Sequence, residues 1–422
     1  MFEKYDAYKD SGLESFPEIP KNWQLKKLKF LLDEVNIRSE TGDETLLSLS
    51  KYKGVIPKDS LDERAGSAST LVGYKKVFKH NLVINKMQAV NGLLAVSELE
   101  GITSPDYSVY SAKDNSVNIH YIAFLLNQPE YLAEMKKRVT GVMEGFIRLY
   151  TDDLYDIKAI LPSIKEQNCI VDFLQKKLVE IDQAIAIKEQ QIALLNERKQ
   201  IVIQKAVTQG LEPNVPMKNS GVEWIGQIPE HWECKPSRYA FRAVKRFKRD
   251  GTEIKFSVTQ KWGVIPTDEM QESATQAVSF DGFQICLEDD LVLNKYKAHL
   301  GVFWRAPSRG LITGNYTVFE PLKGINSKYF ELLYHTPVYI DIFRTIVYGV
   351  IEGMMPLYNN DFYDMLSIVP PLEEQLAIVQ YVEEQQKEFS KIERVFLGQI
   401  EKLKEYKTTL INDAVTGKIK VA

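Results

Sequence analysis

The sequence predicts an α+β protein: two similar mixed α/β domains in tandem, each followed by one long helix. Three observations predict this. The chain repeats itself at a nearly constant shift. Two long stretches, the first free of Gly and Pro, carry an apolar 3-4 spacing. The remainder alternates short β-rich runs with turn residues.

The repeat begins at the domain openings. Ser11-Gly12-Leu13-Glu14, Ile19-Pro20 and Trp23 return as Ser220-Gly221-Val222-Glu223, Ile228-Pro229 and Trp232, a shift of 209 residues. The same shift relates Lys53-Gly54-Val55-Ile56-Pro57 to Trp262-Gly263-Val264-Ile265-Pro266, and Leu82-Val83-Ile84-Asn85-Lys86 to Leu291-Val292-Leu293-Asn294-Lys295. It becomes 208 at Gly141-Val142-Met143-Glu144-Gly145 and Gly349-Val350-Ile351-Glu352-Gly353, and holds through Leu149-Tyr150/Leu357-Tyr358, Glu166-Gln167/Glu374-Gln375 and Ala206-Val207-Thr208/Ala414-Val415-Thr416. Glu230 and His231 are met by Lys21 and Asn22 in the first copy, so neither their chemistry nor their charge repeats. The opening motif is therefore read as a turn, a rigid extended Ile-Pro and an aromatic anchor that docks the chain onto a domain.

The helices follow from spacing. Lys165 to Thr208 contains no Gly or Pro, and nine of the eleven seam positions Val171, Leu174, Leu178, Ile181, Ile185, Lys188, Ile192, Leu195, Lys199, Val202 and Ala206 are apolar. The seam shifted by 208, from Val379 to Ala414, is apolar at eight of eleven. A 3-4 spacing held this long marks a coiled-coil stripe, and each helix spans roughly 60 Å at 1.5 Å per residue. Pro162 and Pro370-Pro371 stand before the starts, and Gly210 and Gly417 after the ends. Strands are expected at Leu46–Ser50, Val77–Ile84, Glu253–Thr259 and Gln284–Leu293, and helices at Tyr121–Lys137 and Lys328–Arg344. The resulting map is a first domain at 1–162, a spacer helix at 163–208, a linker at 209–219, a second domain at 220–371 and a second spacer helix at 372–417.

Composition narrows the class. With 422 residues and 44% hydrophobic content, sizeable cores form in roughly two to four domains. No apolar run nears the ~18 residues of a membrane span, and the start lacks the apolar segment of a signal peptide. Cys169, Cys234 and Cys286 are too scattered for a disulfide framework or zinc knuckle, so a cytoplasmic protein is expected. A net charge of −4 opposes a simple basic nucleic-acid binder, and Lys245-Arg246-Phe247-Lys248-Arg249 is read as a solvated charged face.

Catalytic motifs are missing from the sequence. The five histidines show no HExxH, and there is no nucleophile elbow, P-loop or Gly-rich cofactor loop. Pro370-Pro371 lacks the preceding Asn or Asp and the following aromatic of an amino-methyltransferase motif, and Asp289-Asp290 with Asn294-Lys295 is better read as a turn than as a nuclease centre. No catalytic residue, metal or bound cofactor is assigned. Two like modules on helical spacers suit a two-fold or bipartite ligand, and duplex DNA is one. Base edges need side-chain donors and acceptors, and phosphates need Lys or Arg. The matched strand-to-loop segments supply such groups: Lys86, Gln88 and Asn91 in the first copy, Lys295, Lys297 and His299 in the second. Lys53, Trp262 and Tyr316 complete the candidate DNA-contacting set, Trp262 being equally readable as core.

The two opening motifs, the helix starts Leu161-Pro162-Ser163-Ile164-Lys165-Glu166-Gln167 and Val369-Pro370-Pro371-Leu372-Glu373-Glu374-Gln375, and the exits Ala206-Val207-Thr208-Gln209-Gly210 and Ala414-Val415-Thr416-Gly417 together resemble the specificity subunit of type I restriction-modification enzymes. The resemblance covers essentially the whole chain; Phe16-Pro17 and Ser163 are its small departures. It implies two target-recognition domains, each reading one half of a bipartite site in double-stranded DNA. It further implies that the two helices pair as an antiparallel coiled coil whose length sets the half-site spacing. Two methyltransferase subunits and the restriction subunits are the implied partners in a prokaryotic cytoplasm. S-adenosylmethionine, ATP and Mg belong to those partners, and this chain is expected to be non-catalytic. The alternatives are a self-contained DNA methyltransferase or nuclease, and a coiled-coil adaptor without DNA contact. The visible kinship of the two domains leads us to expect related half-sites or a shared docking geometry.

Overall fold

Trp23 and Trp232, which close the two opening motifs, are both fully buried, and the fold is arranged around them. In the computed structural model, residues 2–51, 53–60, 70–139, 147–248, 251, 253–270, 282–347 and 356–421 are described. The Gly141–Gly145 and Gly349–Gly353 matches and Arg249 lie outside them. The chain divides into two compact units. Met1–Lys188 with Gly398–Ala422 forms the first, and Glu189–Leu397 forms the second. Each therefore holds one mixed domain, the first half of one long helix and the second half of the other.

In the first unit, hairpin Tyr8–Leu13/Phe16–Pro20 leads to Trp23, and Gln24–Lys27 then pairs antiparallel with Lys158–Leu161, just before the long helix. An antiparallel sheet follows in the order Leu32–Glu34, Tyr107–Ala112, Leu82–Asn85, Leu94–Val96. One face packs on the hairpin Leu47–Ser50/Gly54–Pro57 and the pair Lys75–Val77/Gly101–Thr103, through Leu47, Leu49, Val77, Val83 and Val109. The other face, with Leu82, Ile84 and Tyr110, packs on helices Ile119–Leu126 and Pro129–Arg138 and on the long helices. Alternation along the central strands thus feeds two cores, because successive side chains point to opposite faces.

The second unit repeats this plan. Its central sheet runs Phe241–Val244, Tyr316–Pro321, Leu291–Asn294, Phe303–Arg305. The outer sheet is continuous, in the order Gly263–Pro266, Ile254–Thr259, Gly310–Ile312, Gln284–Cys286, with one parallel pairing at Ile254↔Gly310. Within the stretch Gln209–Asn219, Met217–Asn219 is already a strand, paired with Gln227–Pro229.

Two expectations need correction. The strands at Val77–Ile84 and Gln284–Leu293 are each two strands, Lys75–Val77 with Leu82–Asn85 and Gln284–Cys286 with Leu291–Asn294. The carboxamide of Asn81 accepts from Phe78 N at 2.8 Å, and the carboxylate of Asp290 from Leu287 N at 2.6 Å. These side-chain turns carry His80 and Asp289 into the left-handed region at φ 65° and 68°. The helices expected at Tyr121–Lys137 and Lys328–Arg344 are also double. Gln128 and Thr336 adopt extended backbone before Pro129 and Pro337, where proline disfavours the helical conformation of its predecessor.

The long helices, Ile164–Gln209 and Leu372–Val415, match the expected extents closely, and none of the twenty-two seam positions is exposed. Their halves run antiparallel within each unit. In the first, Tyr5 and Tyr8 bond Glu166 and Gly417 respectively, while Lys407 pairs with Asp182 at 2.6 Å further along. In the second, Trp232 joins Glu374 and packs beside Gly210, while Ile203 and Gln386 line one cleft.

The repeated motifs have matching tasks. Trp23 Nε1 donates to Glu166 at 3.1 Å, and Trp232 Nε1 to Glu374 at 2.8 Å. The side-chain nitrogen of Gln167 donates to Pro162 and Ser116 carbonyls while its oxygen accepts from Asn118 N; Gln375 does the same with Pro370, Gly324 and Asn326. The helix ends are held by Tyr121, whose hydroxyl donates to Val415 O at 3.0 Å, and by Tyr329, which donates to Val207 O at 2.8 Å. Each Glu-Gln pair therefore fastens a helix start to its own domain. Each Ala-Val-Thr exit is fastened to a domain by a buried tyrosine.

Candidate nucleic-acid interface

Six of the nine candidate residues, Lys86, Gln88, Asn91, Lys295, Lys297 and His299, lie at the exits of equivalent central strands. Strand Leu82–Asn85 ends in a turn in which Asn85 Oδ1 accepts from Met87 N and Gln88 N at 3.0 and 3.2 Å. Asn294 Oδ1 likewise accepts from Tyr296 N at 3.3 Å. The repeated asparagine is thus a turn former, and both turns end on a left-handed glycine, Gly92 or Gly301.

The neighbouring lysines share one backbone role. Lys86 O accepts from Leu149 N at 3.0 Å, and Lys295 O from Leu357 N at 2.9 Å. Their side chains differ. Lys86 is half-buried, its Nζ 3.4 Å from Pro105 O, and burial followed by the nearby Lys75 charge lowers its pKa. Lys295 reaches over the Tyr296 ring, 5.8 Å from its centroid. It lines a cleft of about 620 Å³ with Tyr316, Lys245, Gln284, Tyr358 and Asn359.

Gln88 and Asn91 are exposed and joined by a 2.7 Å hydrogen bond from Asn91 Nδ2. Lys297, at the position matching Gln88, is exposed. His299 is half-buried with an unpartnered, buried Nδ1. Tyr316 is also half-buried; burial raises its phenol pKa, and its ring packs against the inter-sheet core. Lys53 and Trp262 occupy the tips of the equivalent outer hairpins, before Gly54 and Gly263 at φ 71° and 76°. Trp262 is 67% exposed, with Lys261 Nζ 4.7 Å from its ring centroid, so it is a surface residue and not core.

The structure therefore joins Gln88 with Asn91, and Lys295 with Tyr316. Lys53 and Trp262 stand on the outer layer and do not line the cleft. The basic run at Lys245 is not uniformly solvated: Arg246 bonds Asp290 at 2.5 Å and Glu320 at 3.1 Å, while Lys245, Phe247 and Lys248 are exposed. Arg246 shares Glu320 with Arg242 of the preceding strand Phe241–Val244, in one ion-pair network.

Two residues that were not singled out belong with this surface. Tyr150 and Tyr358 are 48% and 50% exposed, one residue beyond the amides that bind the two lysine carbonyls. The repeated Leu-Tyr pair was a visible signal for them. His231, in the second opening motif, bonds Glu374 at 2.6 Å through Nε2, which places it with the Trp232 anchor.

No protein-family model matches the chain. A solved structure described as the structural basis of complex assembly and conformational transition of the type I R-M system is similar with a TM-score of 0.68 at 14% identity, covering 95% of this chain and 99% of that one. The crystal structure of the HsdS subunit from Thermoanaerobacter tengcongensis is similar with a TM-score of 0.56 at 14% identity, covering 95% and 98%. The chain shares their fold: two sheet-rich domains with a long helix after each.

Proposed function

We propose that this chain is the DNA-specificity subunit of a type I restriction-modification complex, each unit reading one half of a bipartite target. The likeness of fold over 95% of the chain carries this reading. The duplicated strand exits, with their exposed amide, lysine and aromatic side chains, support it, because base readout and phosphate contact need such groups. In this reading the paired helices set the half-site spacing. Two methyltransferase subunits and the restriction subunits dock on the scaffold, and S-adenosylmethionine, ATP and Mg are held by those partners. Among the described residues no helix is long and apolar enough to cross a membrane.

Methylome sequencing of a strain with and without this gene tests the reading. The expected result is a bipartite adenine-methylated motif that disappears with the gene. An unchanged methylome beside active methyltransferase and restriction genes would overturn it. The same data show whether the half-sites are related.

A further inference from the structure

We propose that His80, Glu98 and His120 form a binding site for one divalent transition-metal ion of the zinc type. The three come from separate elements of the first unit. His80 sits in the turn between Lys75–Val77 and Leu82–Asn85, Glu98 follows strand Leu94–Val96, and His120 is in the first turn of helix Ile119–Leu126. One ligand atom from each falls within 4.8 Å of the other two. Glu98 Oε1 is 3.9 Å from His80 Nδ1 and 3.6 Å from His120 Nε2. Ligand atoms about 2.0–2.1 Å from a tetrahedral ion lie roughly 3.3–3.4 Å apart, so the two carboxylate–imidazole edges need to shorten by only about half an ångström or less, and the imidazole–imidazole edge closes from within 4.8 Å.

The backbone holds the set in place. His80 N donates to Ser97 O at 2.7 Å, and His120 N to Asn118 Oδ1 at 2.9 Å. The imidazole rings meet edge-on with centroids 6.0 Å apart. Two imidazoles and one carboxylate favour zinc, nickel or cobalt over calcium or magnesium, which take oxygen-rich shells. Glu98 and His80 are exposed, so water completes the coordination. The opposing charge is Lys79, whose Nζ lies 4.0 Å from Glu98 Oε2, on the oxygen turned away from the histidines.

The second unit offers a built-in contrast. Asp289, Pro307 and Lys328 take the three positions; Asp289 pairs with Arg305, and Lys328 with Glu331. Asp289 keeps the left-handed turn at φ 68°, so the turn belongs to the fold and the ligand set to the first unit alone. Among the described residues no second such group occurs, so one ion per chain is expected. It would tie the turn before strand Leu82–Asn85 to the adjoining helix, on the strand that delivers Lys86.

The test uses the full chain in a Cys169→Ser background, which removes the exposed thiol. Protein stripped by chelator is loaded with zinc, gel-filtered and assayed for retained metal; cobalt loading is followed in the visible spectrum. The expected result is one zinc per chain and cobalt ligand-field bands. His80→Ala, His120→Ala and the isosteric Glu98→Gln should each weaken retention by more than about tenfold, a loss that even outer-shell changes bring. Circular dichroism of the Glu98→Gln variant checks folding. Zinc retained equally by the variants, or by none of the proteins, would overturn the proposal.

Discussion

The Glu374 carboxylate serves two partners at once: Oε2 accepts from Trp232 Nε1 and Oε1 meets His231. Trp232 is fully buried, so removing the carboxylate strands an indole N–H. Glu374→Ala should destabilise by about 1–3 kcal/mol, read as a lower denaturation midpoint, whereas Glu374→Gln keeps an acceptor and should lose less. Equal losses would show that packing alone matters. At the strand exits, Lys295→Ala should weaken binding to every duplex in the assembled complex and reduce the salt slope by about one unit. Lys86→Ala should do so less, because its ammonium already rests on Pro105 O. The reverse order in a salt titration would refute this. Such residue roles were only partly legible. The Glu-Gln and Leu-Tyr pairs stood out by repetition, but the exposure of Trp262 and the inward turn of His299 depend on packing that no local pattern encodes.

The long helices could be read from sequence because a 3-4 apolar seam sustained over eleven positions points to one solution, even across Gly398 in the second, and all seam positions are indeed covered. The strand and short-helix boundaries were harder. Asn81 and Asp290 make turns without Gly or Pro beside them, so adjoining strands ran together. Pro129 and Pro337 were visible breaks inside apolar patterns that suggested continuity. Helix ends give a sharper test. A Cβ at Gly417 would lie 2.5 Å from the Pro20 ring, and one at Gly210 would lie 3.2 Å from Trp232; both residues have positive φ. Gly417→Ala should therefore destabilise more than Gly210→Ala, each by at least the roughly 1 kcal/mol of a left-handed L-residue, read as a lower melting temperature. Equal shifts in calorimetry would discount the Pro20 contact.

At the scale of the molecule, tandem order in sequence does not equal tandem order in folding units. The second unit is one continuous run, Glu189–Leu397, while the first is discontinuous and takes in Gly398–Ala422. Truncation after Leu397 should expose the first unit to protease while leaving the second resistant, because Leu410, Ala414 and Val415 belong to the first unit's core. Equal resistance of the two units would refute this division.

Tyr121 gives that division a direction in time. Its buried hydroxyl meets Ile160 O and the carbonyl of Val415, which is synthesised 294 residues after it. At about 5–20 residues per second, the ribosome takes on the order of ten to fifty seconds to travel from Lys188 to there. Within that interval the second unit is completed at Leu397, while the first-made domain still lacks its share of the second long helix. The first-made of the two units is the last to be sealed, and for that time it is the part that needs shelter from aggregation.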